Sequence, residues 1–190
     1  MRADAVRRRE ALIAAAREML LVHGADVALE AIADHAGVGI ATLYRNFPSR
    51  ESLVDATASA VLNDMLLVAT EAVEAFPSDP VYAWRTFIDH LVTLRLGAVI
   101  PALAHATGRA LRPQVAEAQD ATERAVSAVL DEARAAGLLR PDLDTVEFVL
   151  AIARASQPPA SHAPEAYPTF AARFIAMLVA GMKPDGHPLP

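Results

Sequence analysis

The sequence contains no cysteine, which excludes several kinds of chemistry. A chain without thiols forms no disulfide, has no cysteine nucleophile and offers no cysteine-ligated zinc site. Aromatic residues make up only 5% of the chain, and Lys183 is its single lysine. No stretch reaches the roughly 18 apolar residues of a membrane-spanning helix, and the polar N-terminus predicts no signal peptide. We therefore expect a cytoplasmic protein without a membrane partner. The excess of arginine over lysine suggests a GC-rich bacterial genome.

The residues that are present favour a folded, all-α protein. Hydrophobic residues account for 54% of the chain and charged residues for 21%, which is typical of globular domains. Much of the apolar share is alanine, the best helix former, and the alternating runs that mark strands are absent. The net charge of −6 is unevenly distributed, since residues 1–50 carry seven arginines and six acids. A local basic surface is sufficient for binding DNA phosphates.

Apolar spacing and capping signals divide the chain into helices. Gly24, Gly37 and Pro48 end the first three, and Asp79 and Asp144 cap two later ones. The predicted helices span about 5–23, 29–36, 40–47, 49–75, 79–96, 99–110, 113–137, 144–156 and 169–182. Residues 157–168 carry four prolines and predict a mobile loop.

The two short helices around Gly37 and Gly39 have the spacing of a helix-turn-helix. In that motif the second helix enters the DNA major groove. Val38 and Leu43 are expected to fill the junction between the helices, and Phe47 to pack back on the first and fourth helices. This arrangement leaves Tyr44 and Arg45 free to reach DNA.

The stretches 32–38 (IADHAGV) and 42–53 (TLYRNFPSRESL) resemble the DNA-binding domain of the TetR family of repressors. The resemblance covers roughly the first 55 residues. Beyond them the chain is similar in length and helical pattern, nearest to the SbtR-like branch. The resemblance implies that Tyr44, Asn46 and Arg50 contact phosphates and that Thr42 and Arg45 face the major groove. Arginine is well suited to donate two hydrogen bonds to a guanine there. The expected DNA-binding residues are Gly39, Ile40, Ala41, Thr42, Tyr44, Arg45, Asn46 and Arg50.

Two positions depart from the family pattern. Ala28 stands where a capping threonine is usual, and Gly39 replaces a capping serine. Both changes remove side-chain contacts to phosphate. The basic residues before or early in the first helix, Arg2, Arg7, Arg8 and Arg9, are candidates to compensate by reaching the minor groove.

The remainder of the chain is expected to bind an effector and to dimerise. Helical spacing brings apolar and polar residues of the middle helices onto a candidate pocket for a small, partly hydrophobic molecule: Met65, Trp84, Phe87, His90, Leu91, His105 and Arg109. The segment 146–155 and the last predicted helix are apolar nearly all round, which predicts burial on every side. Two such helices from each of two copies would be buried together in a four-helix dimer interface. The interface candidates are Phe148, Val149, Ile152, Phe170, Phe174 and Leu178.

These observations predict an N-terminal three-helix DNA-binding domain (1–50), a larger helical effector-binding and dimerisation domain (51–183) and a flexible tail (184–190). The expected function is a homodimeric regulator, by family default a repressor, that leaves double-stranded operator DNA when a small molecule binds. One alternative is a helical small-molecule binding protein whose helix-turn-helix no longer reads specific DNA. A third possibility, an all-α enzyme, has no residue constellation behind it. We expect no enzyme activity, no cofactor and no metal.

Overall fold

The computed structural model describes residues 2–23, 27–94, 96, 113–156 and 169–187. Over these residues the chain forms eight α-helices and no strand, which confirms the all-α prediction. The helices are α1 (Arg2–His23), α2 (Leu29–His35), α3 (Ile40–Asn46), α4 (Arg50–Ala75), α5 (Pro80–Thr93), α6 (Pro113–Ala135), α7 (Thr145–Ala155) and α8 (Phe170–Gly181). The helix predicted over 99–110 and the loop predicted over 157–168 lie outside the described residues.

The chain divides into two compact units. The described part of the first comprises residues 2–23, 27–62 and 113–118. That of the second comprises residues 63–94, 96, 119–156 and 169–187. The division falls inside two helices, after residue 62 of α4 and after residue 118 of α6.

The first unit packs α1, α2, α3 and the start of α4 around one apolar core. Apolar residues at helical spacing on each helix turn inward, because only one face of a short helix can be buried. The fully or nearly buried members of this core are Leu12, Ala15, Ala16, Leu20, Val27, Leu29, Ile32, Ala33, Leu43, Phe47 and Leu53.

Glycine in the left-handed conformation ends α2, as the sequence predicts. Gly37 has a φ of 69°, a conformation that costs little only without a Cβ. Its amide donates to the carbonyl of Asp34 and the amide of Val38 donates to that of Ala33, each at 3.0 Å. Gly137, with a φ of 68°, ends α6 in the same way. The two hydrogen bonds at Gly37 and Val38 turn the chain sharply toward α3.

Ser49 and Ser52 cap the start of α4 reciprocally. The amide of Ser52 donates to Oγ of Ser49 at 3.2 Å, and the amide of Ser49 donates to Oγ of Ser52 at 3.1 Å. The helix is long and apolar enough to pass a length-and-composition test for a membrane span. A core helix passes the same test, and the buried residues of α4 recur at helical spacing, as in Leu53, Ala58, Val61 and Met65. This pattern fits packing inside a protein better than contact with lipid.

An aromatic cluster forms the centre of the second unit. Trp84 and Phe87 of α5 meet Phe148 of α7, with ring centroids 5.5 Å apart for Trp84–Phe148 and 6.1 Å apart for Phe87–Phe148. Ile152 lies one helical turn after Phe148 and is also fully buried. The capping box Asp144–Glu147 predicted from the sequence is present and starts α7. The cap therefore fixes where α7 begins.

A buried arginine ties the end of α8 to the loop before α7. The side chain of Arg140 is 7% exposed and donates to both carboxylate oxygens of Asp142, at 2.6 and 3.1 Å. It also donates to the carbonyl of His187, and its amide donates to the carbonyl of Met182 at 2.8 Å. Within the segment predicted as flexible tail, the carbonyl of His187 is therefore hydrogen-bonded to Arg140.

Candidate functional site

The helix α3 has one buried edge and one open face. Leu43 and Phe47 are fully buried in the core of the first unit. Tyr44 is 47% exposed, and Ala41 and Arg45 are exposed beside it. Ile40, Thr42 and Asn46 are half-buried along the rim of that face. Two buried anchors thus fix a seven-residue helix that presents a phenol and a guanidinium to solvent.

The starts of α2 and α3 lack side-chain caps. Ala28 occupies the N-cap position of α2 with φ −64° and ψ 139°. Gly39 occupies the N-cap position of α3 with φ −72° and ψ 150°. Both conformations are those that serine or threonine adopts when it caps a helix, and a Cβ added at Gly39 would meet no atom within 4 Å. The first amides of both helices therefore have no side-chain acceptor.

Two of the expected phosphate-binding residues bond to the protein itself. The side-chain amide of Asn46 donates to the carbonyl of Thr42 at 2.8 Å. A guanidinium nitrogen of Arg50 donates to the carbonyl of Val27 at 2.7 Å, which fixes the start of α4 against the segment before α2. These bonds hold both side chains in defined positions. Their contacts with phosphate stay predictions.

The arginines at the start of α1 are also partly engaged. The guanidinium of Arg9 lies 4.9 Å from the centroid of the Phe47 ring, within range of a cation–π interaction. Arg7 pairs with Asp4 one turn earlier, and this hydrogen bond lowers the pKa of the Asp4 carboxyl, with a smaller contribution from Arg8. Arg9 therefore links α1 to the end of α3, a contact that sequence reasoning missed because the two residues lie far apart in the chain.

The expected effector-binding residues fall into three groups. Trp84, Phe87 and Leu91 are buried on the inner face of α5, and Met65 is buried on α4. His90 is exposed. His105 and Arg109 lie outside the described residues.

A small pocket of about 180 Å³ lies in the second unit between the second half of α4 and α5. Phe87 and His90 line it, as do several residues that the sequence did not single out: Val68, Glu71, Ala72, Ala75, Tyr82, Ala83 and Thr86. Alanines on both helices leave this space unfilled. Their facing positions depend on the register of two helices, which sequence spacing alone does not give.

The structure corrects part of the predicted dimer interface. Phe148 and Ile152 are fully buried in the protomer, next to Trp84 and Phe87, so they are not available to a partner. The exposed apolar residues of α7 are Val146 and Leu150 instead, on the opposite face. Phe148, Ile152 and Ala155 share a helical face, whereas Val146 and Leu150 lie in line with the charged Arg154.

The helix α8 has no buried residue, although its sequence is apolar. Phe170 and Phe174 stack on its surface with ring centroids 6.0 Å apart, and each is at least 40% exposed. Met177 is 62% exposed one turn further on. Val149 and Leu178 are half-buried. Exposed apolar faces of this kind are typical of surfaces that bind a partner.

Within the described ranges no group of three or more His, Asp or Glu side chains is placed to hold a metal ion. His35 is paired with a carboxylate, and its Nε2 lies 2.7 Å from Oε2 of Glu18 on the surface of the first unit. This pair joins α1 to α2.

Family models match most of the chain. Residues 12–57 match the model of bacterial regulatory proteins of the tetR family. Residues 79–184, more than half of the chain, match the C-terminal domain of SbtR-like transcriptional regulators. Comparison with curated protein sequences gives no significant match.

Several solved structures of similar fold are those of transcriptional regulators. A TetR regulator from Streptomyces coelicolor is 26% identical, with 94% of this chain and 99% of that chain covered and a TM-score of 0.61. The TetR-like regulator LfrR from Mycobacterium smegmatis, solved with proflavine, is 24% identical, with coverage of 97% and 99% and a TM-score of 0.70. The ketosteroid regulator KstR2 of Mycobacterium tuberculosis is 20% identical, with coverage of 94% and 96% and a TM-score of 0.62.

Two structural features are those of a helix-turn-helix: the open face of α3 and the left-handed turn at Gly37. The two family models likewise describe transcriptional regulators. The chain belongs to the TetR family of bacterial regulatory proteins and is a DNA-binding transcriptional regulator.

Proposed function

We propose that the protein is a homodimeric repressor that leaves its operator when a small, mainly apolar molecule binds to the second unit. One recognition helix α3 from each protomer reads one half of a palindromic site. The observation that carries this proposal is the pairing of buried Leu43 and Phe47 with exposed Tyr44 and Arg45 on α3.

Each exposed residue of α3 has a role suited to its chemistry. The guanidinium of Arg45 donates two hydrogen bonds to a guanine edge, and the Tyr44 hydroxyl donates to a phosphate. The end of α3 that enters the groove carries Ile40 and Ala41, which make apolar contacts with thymine. Thr42 contacts a thymine methyl or a phosphate. Asn46 and Arg50, held by their bonds to Thr42 and Val27, add phosphate contacts at defined positions.

Dimerisation is supported by the apolar faces of α7 and α8. Val146 and Leu150 on one helix and Phe170, Phe174 and Met177 on the other are exposed in the protomer. Two helices from each protomer, related by a two-fold axis, would bury these faces in a four-helix arrangement. A dimer also gives the half-site symmetry that a palindromic operator requires.

Effector binding is supported by the apolar centre of the second unit and by the pocket between α4 and α5. At about 180 Å³ the pocket is smaller than a typical ligand site of roughly 300–1,000 Å³, so a ligand widens it. LfrR was solved with proflavine, and a gamma-butyrolactone receptor also has this fold, which is in keeping with a small ring compound as ligand. Release from DNA requires that the ligand bind one conformation more tightly than the other.

The DNA-binding part is tested by selecting bound duplexes from a random library with the purified protein. We expect a palindromic consensus. Arg45→Ala should weaken binding to the selected duplex by about 5- to 150-fold, corresponding to a lost bidentate base contact of about 1–3 kcal/mol, and should relax the consensus at one position per half-site.

Arg85→Ala is the matched control, because Arg85 is an exposed arginine on α5. It should leave both affinity and consensus unchanged. A protein that binds all duplexes equally, with affinity set by salt alone, would contradict the proposal and favour a small-molecule binding protein that no longer reads specific DNA.

A further inference from the structure

The indole nitrogen of Trp84 lacks a hydrogen-bond partner. Trp84 is 4% exposed on the inner face of α5, and its Nε1 is buried with no acceptor among the described residues. Buried tryptophan N–H groups usually find an acceptor, because leaving a donor desolvated and unpaired is unfavourable. An exception of this kind requires an explanation.

Two aromatic rings pack against the indole. Its ring centroid lies 5.5 Å from that of Phe148 and 6.1 Å from that of Phe87. Leu91 and Ile152 are fully buried in the same unit. In such surroundings a single donor attracts an acceptor strongly, whereas an unpaired charge is penalised.

We propose that the N–H of Trp84 is the donor that recognises the effector. The ligand is then a neutral ring compound that stacks among the aromatic side chains and carries a hydrogen-bond acceptor, such as a carbonyl oxygen. This inference rests on the proposed effector function and adds the chemistry that the ligand must have.

The closed position of Trp84 connects recognition to conformation. Because the indole is almost inaccessible to solvent, a ligand reaches its N–H only in a conformation in which neighbouring side chains have moved apart. The ligand therefore binds that conformation more tightly, which is the requirement for a ligand to shift a population.

Trp84 is the only tryptophan in the chain, so the full-length protein labelled with ¹⁵N gives one indole N–H signal. The probes are two matched pairs of ring compounds that differ in a carbonyl group: fluorenone with fluorene, and acetophenone with α-methylstyrene. We expect each ketone to bind about 5- to 10-fold more tightly than its hydrocarbon partner, the effect of one hydrogen bond. The ketone should also move the indole signal downfield.

Two variants separate the donor from the apolar wall. Trp84→Phe keeps an aromatic ring but removes the N–H, so calorimetry should give equal affinities for ketone and hydrocarbon. Phe87→Leu changes the wall and keeps the donor, so both affinities should fall while their ratio is retained. Circular dichroism and thermal melting confirm that each variant is folded.

Equal affinity of the wild type for both members of each pair, or a ratio that survives in Trp84→Phe, would overturn the assignment. The assignment would also be overturned if neither ketone bound. A nuclear Overhauser cross-peak between a bound water and the indole N–H of the ligand-free protein would overturn it as well. None of these outcomes alters operator selection by α3, so failure of this inference is distinguishable from failure of the proposed regulatory function.

Discussion

Single residues decide how firmly the recognition helix is held. The sequence predicted that Gly37 ends α2, and the structure confirms it, with Gly37 in the left-handed conformation. It also identified Leu43 and Phe47 as packing residues, because the helix-turn-helix has a fixed pattern of buried positions. It missed the contact of Arg9 with Phe47, since no local pattern relates a residue in α1 to one that follows α3.

The same substitution at the two glycines of the turn should have opposite effects. A Cβ meets no atom within 4 Å at Gly37 or at Gly39, but only Gly37 has a positive φ. Gly37→Ser should lower the free energy of unfolding by about 1 kcal/mol, because a left-handed residue with a side chain is strained. Gly39→Ser should raise it by a few tenths of a kcal/mol by capping α3. Urea denaturation measures both, and equal signs would contradict the explanation.

Ala28 offers a further test of capping. Its backbone already has the geometry of a capping residue, so Ala28→Thr should stabilise the protein by about 0.5–2 kcal/mol. Ala28→Val has the same shape without the hydroxyl and should give no such gain. If both variants are equally stable in urea, the missing cap at α2 is of no energetic consequence.

At the scale of helices, the boundaries were largely predictable because capping residues signal them. Asp79, Asp144 and Gly137 end or begin helices within two residues of the predicted positions. The buried face of α7 was harder to assign, since apolar residues occupy both sides of the helix. The contacts that choose between them, with Trp84 and Phe87, connect residues about 60 positions apart in the sequence.

Arg140 connects the loop before α7 to the end of α8. Arg140→Lys should lower the melting temperature, because a lysine ammonium cannot reproduce the two bonds to Asp142 together with the bond to a backbone carbonyl. Hydrogen exchange should accelerate over 178–187 and stay unchanged over 29–47. Arg85→Lys, at an exposed site, is the control and should alter neither measurement. Unchanged exchange at the end of α8 would mean that Arg140 does not hold it.

At the scale of the whole molecule, the family match accounts for both the helix-turn-helix and the larger helical region. The compact units, however, divide inside α4, at residue 62 rather than near its start. The sequence prediction placed the domain boundary at residue 50, near the start of α4. A boundary between packing units that falls inside a long helix has no turn residue to mark it. The sequence therefore gives no local signal for its position.

The proposed dimer interface predicts a change of oligomeric state. Phe174→Glu should shift the protein to monomers, raising the dimer Kd roughly 100-fold, because burying an unpaired carboxylate is unfavourable. Operator affinity should fall with it. Leu67→Glu, at a residue of α4 that is 59% exposed, introduces the same charge elsewhere and should remain dimeric. Sedimentation equilibrium distinguishes the two, and a dimeric Phe174→Glu protein would place the interface on another surface.

The exposed apolar face of α8 also bears on how much of the protein persists in a cell. A newly made chain presents Phe170, Phe174 and Met177 to solvent until the proposed dimer forms. Exposed apolar surface is what chaperones and proteases act on. If the proposed dimer buries this face, unpaired copies are expected to be removed faster than paired ones, so that the abundance of the regulator rises more steeply than its rate of synthesis.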